Sequence, residues 1–155
     1  MTDRQRIAFI VPYFGKLPNY FKFWNQSTKA NKNVEIFFFT DIEEPENIGD
    51  NFHWVKMTFE EVRQRAQKLV DFKISLNEPY KLVDFKPAYG AMFGDYIKDY
   101  SYWAFGDIDT IWGDLNIILD RVNEGYDKLL DLGHLTIIKN NDQMNYLWKK
   151  HVSSA

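Results

Sequence analysis

Two aspartates one residue apart, Asp107 and Asp109 in "FGDIDTIWG", close a strongly apolar run. In an extended segment, residues i and i+2 point to the same side, so these carboxylates could offer oxygens to one hard divalent cation. Magnesium is typically held by one or two carboxylates plus water and substrate phosphates, and manganese favours similar donors. Such an ion would neutralise a diphosphate leaving group and act as a Lewis acid. The plainer reading is a polar turn that ends a strand. Two points favour chemistry. Charges that follow directly on a buried aromatic strand are costly unless they reach water, pair or bind a cation. Gly106 and Gly113 also bracket the pair and allow close backbone approach.

A second cluster lies in "YKLVDFKPAYG", residues 80–90. Asp84 could cap the helix expected after it, with Lys86 an ordinary first-turn residue. Alternatively, a helix N-terminus with a lysine beside it would suit an anionic diphosphate, while Asp84 hydrogen-bonds a ribose hydroxyl. His134 follows Gly133 in "LGHLTIIKNN". A lone histidine is more often structural or solvated than catalytic, although it could also contact a sugar hydroxyl or a metal. His53 and His151 sit in weaker contexts and carry no assignment.

These residues need elements to position them. "IAFIV", residues 7–11, reads as a strand buried on both faces of a parallel sheet. Pro12 ends it, which puts Tyr13 and Phe14 in the following loop. A helix follows in "NYFKFWNQSTKA". "VEIFFFTD" is a second strand ending at Thr40 and Asp41, and "HWVKM" is a short third. Thr58 and Glu61 form a capping box for a helix with Phe59, Val62, Ala66 and Leu69 along one face. The next segment predicts a helix after Asp84 with Pro87 in its first turn. "YWAF" is a strand leading into the aspartates, "DKLLDL" and "HLTIIKN" are two more, and "NDQMNYLWKKH" is a terminal helix. Strands alternating with helices predict an α/β fold with a mainly parallel central sheet flanked by helices. Ligands in such sheets bind beyond the carboxyl ends of the strands, where Tyr13, Phe14, Asp41, Asp107 and Asp109 all fall.

Composition narrows the function. A chain of 155 residues is most simply one domain, residues 1–155. A net charge of −3 provides no basic field for a nucleic-acid backbone, so no nucleic-acid partner is expected. Absence of cysteine removes thiol nucleophiles and thiolate zinc sites. The first apolar run is too short for a signal segment or a membrane span, so a soluble, cytoplasmic protein is expected. No phosphate-loop, dinucleotide-fingerprint, zinc-protease or nucleophile-elbow motif occurs.

Taken together and in order, "IAFIVPYFGKLPNYFKFW", "FFFTD", "DFKISLNEPYKLVDFKPAYG", "WAFGDIDTIWGDL" and "DLGHLTIIKNN" resemble bacterial GT-A-type glycosyltransferases of capsular and surface-polysaccharide biosynthesis. "KLVDFKPAYG" and "GDIDTIWG" are the most specific parts. The resemblance implies a GT-A nucleotide-sugar-binding domain, a nucleotide-sugar donor such as a UDP-hexose, a glycan acceptor, and Mn2+ or Mg2+. An acceptor carried on a membrane would bring the chain to that surface peripherally. Asp107 and Asp109 would match the family's D-x-D pair on the cation. Tyr13 and Phe14 would lie near the base, Asp41 near the nucleoside, and Asp84 and Lys86 at the donor ribose or diphosphate. Gly133 and His134 would lie near the acceptor. The resemblance assigns no catalytic base. Members of such families usually continue for roughly another domain-half, whereas this sequence stops at "LWKKHVSSA", so a GT-A fold without its C-terminal acceptor portion is expected. A non-catalytic nucleotide-sugar-binding remnant is the alternative. A haloacid-dehalogenase-like phosphatase is less favoured, because its aspartate motif usually opens the domain.

Overall fold

The computed structural model describes residues 6–150. The sheet has six strands: β1 (Ile7–Pro12), β2 (Val34–Thr40), β3 (Phe52–Lys56), β4 (Tyr102–Gly106), β5 (Lys128–Leu132) and β6 (Leu135–Lys139). Their spatial order is β3-β2-β1-β4-β6-β5. The first four strands in that order run parallel, as expected of their continuous apolar sequences. β6 runs antiparallel to both β4 and β5. The α/β class with helices flanking the sheet is as expected, and the sheet is mixed: β3-β2-β1-β4 form its parallel part, and β6 adds two antiparallel pairings at one edge. The cause is local. Only Gly133 and His134 separate β5 from β6, and a two-residue link can join only antiparallel neighbours.

Helices cover both faces. On one face, Ile7, Phe9 and Val11 of β1 pack against Phe21 and Trp24 of α1 (Phe21–Lys29) and Val122 of α4 (Asn116–Val122). On the other, Ala8 and Ile10 meet α2 (Phe59–Gln67), a 3₁₀ segment (Pro79–Ala88), α3 (Tyr89–Met92) and α5 (Asp142–Asn145). This two-sided alternation is the reason β1 reads as an unbroken apolar run. The Thr58–Glu61 capping box forms, and Val62 and Ala66 are buried on the expected face.

Two local expectations are corrected. Asp84 does not cap a helix, because it lies inside the 3₁₀ segment that begins at Pro79. Pro79 is pre-set for a first helical position, while Pro87 has no amide hydrogen to extend an α-helical ladder. The terminal segment is likewise two short pieces, α5 and a 3₁₀ turn (Leu147–Lys149), interrupted at Tyr146. There the indole of Trp148 donates to the Asn145 carbonyl at 2.8 Å. His151 lies outside the described residues. Among the described residues, no helix is long and apolar enough to cross a membrane.

Candidate functional site

The order of the strands creates a crevice. From β1 the chain crosses to β2 on one side, and after β3 it returns to place β4 on the other side. The carboxyl ends of β1 and β4 thus flank a topological switch point, the usual ligand position in open α/β sheets. A cleft of about 270 Å³ opens there, with Tyr13, Lys86, Asp107 and Asp109 among its walls. Larger hollows lie between Lys29 and Asn51 and between Lys68 and Lys150. Neither gathers paired carboxylates with a lysine and aromatic rings, so the switch-point cleft is the site the chemistry selects.

Asp107 is the hub. Its Oδ1 accepts from Lys86 Nζ at 2.7 Å, and its Oδ2 lies 3.2 Å from His134 Nδ1. The Asp107 amide also donates to the His134 carbonyl at 3.3 Å. Thr110 Oγ1 donates back to the Asp107 carbonyl at 2.9 Å and closes the bend. Ile108 is buried between the two aspartates, whereas Asp109 is exposed. Among the described residues, Asp109 makes no hydrogen bond or ion pair. Lys86 is the more enclosed partner of the ion pair, with its side chain 14% exposed against 36% for Asp107. Its ammonium lies 6.0 Å from the Phe105 ring centre. Leu82 and Ala88 seat its 3₁₀ segment in the core, and Tyr89 Oη donates to the Leu82 carbonyl at 3.0 Å.

The stretch after the aspartates is clamped to α1 and to Asn31 just beyond it. The Trp112 amide donates to Ser27 Oγ at 3.0 Å, Asn31 Nδ2 donates to the Gly113 carbonyl at 2.9 Å, and the Leu115 amide donates to Asn31 Oδ1 at 2.9 Å. Trp112 fixes this arrangement from below, packing edge-on against Phe9 with ring centres 5.0 Å apart. Ser27 and Asn31 were silent in the sequence, since they act through partners about eighty positions away.

Of the expected donor residues, Tyr13 and Lys86 line the cleft. The Tyr13 amide donates to the Phe39 carbonyl at 2.9 Å, which carries β1–β2 pairing one residue beyond Pro12. Burial raises the pKa of its hydroxyl, with nearby Tyr20 adding to the effect. Phe14 turns away and packs edge-on against Phe59 at 5.7 Å. Asp41, just past β2, and Asp84, on the 3₁₀ segment, are exposed and not among the lining residues. Gly133 and His134 form the β5–β6 turn, and His134 reaches the site through Asp107. Sequence reasoning missed Tyr20 and Tyr80, exposed residues that both line the cleft. Tyr20 precedes α1 and Tyr80 opens the 3₁₀ segment, so only the folded sheet brings them to one opening.

The donor set suits a hard divalent ion. Among the described residues no group of three or more acidic or histidine ligands gathers, but magnesium and manganese need only one or two carboxylates. Asp109 has no partner among the described residues, and a carboxylate such as Asp107 has about four lone-pair sites. One ammonium against two carboxylates leaves the cleft with excess negative charge, so a diphosphate would enter most favourably with a cation. In comparison with known proteins, no curated sequence matches the chain. Residues 9–155 match a family of unknown function (DUF6625), and the chain belongs to that family.

Proposed function

We propose that the protein is a metal-dependent glycosyltransferase with a GT-A-type donor site. In this reading it takes a hexose from a nucleotide sugar, a UDP-hexose, and passes it to a glycan acceptor in surface or capsular polysaccharide synthesis. The observation that carries the reading is the convergence of Asp107, Asp109, Lys86 and Tyr13 on one cleft at the β1–β4 switch point. That position, its oxygen donors and its aromatic rim suit a ligand that joins a flat ring to an anionic diphosphate.

Asp107 and Asp109 would hold Mn2+ or Mg2+, which when bound supplies charge neutralisation to a departing diphosphate. Lys86 adds a fixed positive charge beside it. Tyr13, Tyr20 and Tyr80 offer ring faces and edges to the nucleoside. His134, at the hairpin turn beyond Asp107, holds the carboxylate from the outer side, where an acceptor would approach.

Calorimetry with UDP and Mn2+ tests the reading. UDP is expected to bind with Mn2+ present and at least about tenfold more weakly without it, within ordinary coupling energies. Asp109→Ala is expected to lose that dependence on the cation. UDP that fails to bind, or that binds Asp109→Ala as well as wild type, overturns the proposal. Release of UDP from a UDP-hexose then separates transfer from donor binding alone.

A further inference from the structure

We infer that Lys86 is a stand-in cation. Its ammonium occupies the place on Asp107 that a divalent ion takes, and the arriving ion hands Lys86 over to the diphosphate. Cation and anion then bind cooperatively through one side chain. This rests on the cleft being a cation-and-diphosphate site, and it adds the residue that couples the two ligands.

The geometry carries the argument. Lys86 Nζ and Asp107 Oδ1 are 2.7 Å apart, and the lysine side chain is largely enclosed. An enclosed ammonium needs a partner, because an uncompensated charge away from water is strongly unfavourable. With no other ligand, Asp107 is that partner. A divalent ion seated on Asp107 and Asp109 would face the ammonium across the same carboxylate, and like charges at that range repel. Asp109, exposed and without a partner among the described residues, gives the ion its first foothold. His134 keeps Oδ2 oriented while Oδ1 changes partner.

The backbone of Lys86 has little room to follow, since buried Leu82 and Ala88 anchor its 3₁₀ segment. The displaced ammonium remains beside the cleft that Lys86 lines. Phosphate oxygens there would satisfy its three donors. Each ligand therefore removes a cost of binding the other, and the coupling is reciprocal.

The test uses Mn2+ alone, then inorganic pyrophosphate, with Mn2+–pyrophosphate association in solution accounted for. Lys86→Met keeps the apolar stem and removes the charge. It is expected to bind Mn2+ alone about tenfold more tightly than wild type, a typical coupling magnitude. The enhancement of Mn2+ affinity by pyrophosphate should shrink by a similar factor. General removal of positive charge would give the first effect without the second. Lys86→Arg is expected to behave like wild type.

Equal Mn2+ affinity in Lys86→Met and wild type, or undiminished coupling to pyrophosphate, overturns the role of Lys86 while leaving the donor-site reading intact. Wild type that binds neither Mn2+ nor pyrophosphate overturns both. A measurement on wild type alone covers a Lys86→Met variant that fails to fold. The Lys86 ammonium resonance should be protected in the free protein, exchange-broadened by saturating Mg2+, and restored by pyrophosphate. A resonance unmoved by bound Mg2+ overturns the inference.

Discussion

The carbonyl of His134 occupies the space where a side chain on Gly106 would begin. A β-carbon built on Gly106 would fall well inside contact distance of that oxygen and 3.2 Å from the Phe9 ring. Gly106 pairs with Leu135 across the β4–β6 ladder, so the absent side chain lets the hairpin turn close over the end of β4. This approach is what brings His134 to Asp107. Gly106→Ala is expected to push the turn away and to destabilise the fold by about 1–3 kcal/mol, the usual range for overpacking. Urea denaturation should show a lower midpoint, and the His134 ring resonances should lose their dependence on Asp107.

Asp107 and Asp109 are expected to separate in a stability assay although both belong to the cleft. Asp107→Ala strips the partner from an enclosed lysine and should cost about 1–3 kcal/mol, as expected when a charged hydrogen-bond partner is removed. Asp109→Ala removes an exposed side chain that has no partner among the described residues, and should stay within about 0.5 kcal/mol of wild type. Chemical denaturation of the two variants reads the difference directly. Equal destabilisation would mean that Asp109 holds structure rather than ligand.

A pH dependence follows from the pair that ties α2 to the turn after α3. Arg65 Nη1 and Nη2 donate to the two carboxylate oxygens of Asp95 at 2.7 and 2.9 Å, and Nη1 also donates to the Met92 carbonyl at 3.1 Å. The hydrogen bonds from Arg65 hold the Asp95 pKa below its ordinary value, against a smaller opposing effect of burial. A depressed carboxylate contributes stability above its unfolded-state pKa and loses it as pH falls through the folded value. Asp95 is 53% exposed, so solvent screening limits the contribution to about 0.5–1 kcal/mol. Asp95→Asn should melt below wild type at neutral pH. The gap should close as pH falls below about 4, the ordinary range for an aspartate. A gap independent of pH would assign the effect to packing.

The central strands were legible because each is short, apolar and buried on both sides. β1 could hardly be anything else once Pro12 stopped it, and Thr58 with Glu61 announced α2 through purely local bonding. The 3₁₀ segment was misread because Asp84 carries a common cap residue type, while the conformation is set by Pro79 and by Leu82 and Ala88 docking in the core. α4 was not anticipated, since no side chain caps it and its Ile117 faces solvent. In the site, the spacing of Asp107 and Asp109 was ambiguous by itself; the aromatic strand before them, the bracketing glycines and the resemblance favoured them, and Lys86 was raised by its neighbourhood in "KLVDFKPAYG". Whether Lys86 meets Asp107 depends on how the 3₁₀ segment docks against β4, which no local pattern encodes. Phe14 shows the converse: one residue beyond Tyr13, it packs into the opposite face of the sheet.

The pairing of β1 with β4 has a kinetic consequence. Ile7–Phe9 align with Tyr102–Ala104, joining strands separated by most of the chain. Contacts of such long separation close slowly, because loop entropy is lost before any contact forms. The β1–β2 unit and the β5–β6 hairpin can each assemble from nearer segments, but neither contains the cleft that Tyr13 and Asp107 share. The candidate cleft lies at the seam where the two halves of the sheet meet, so it exists only once that long-range pairing has formed. A bound ligand would act as a clasp across that seam, lowering the unfolding rate more than it raises the folding rate.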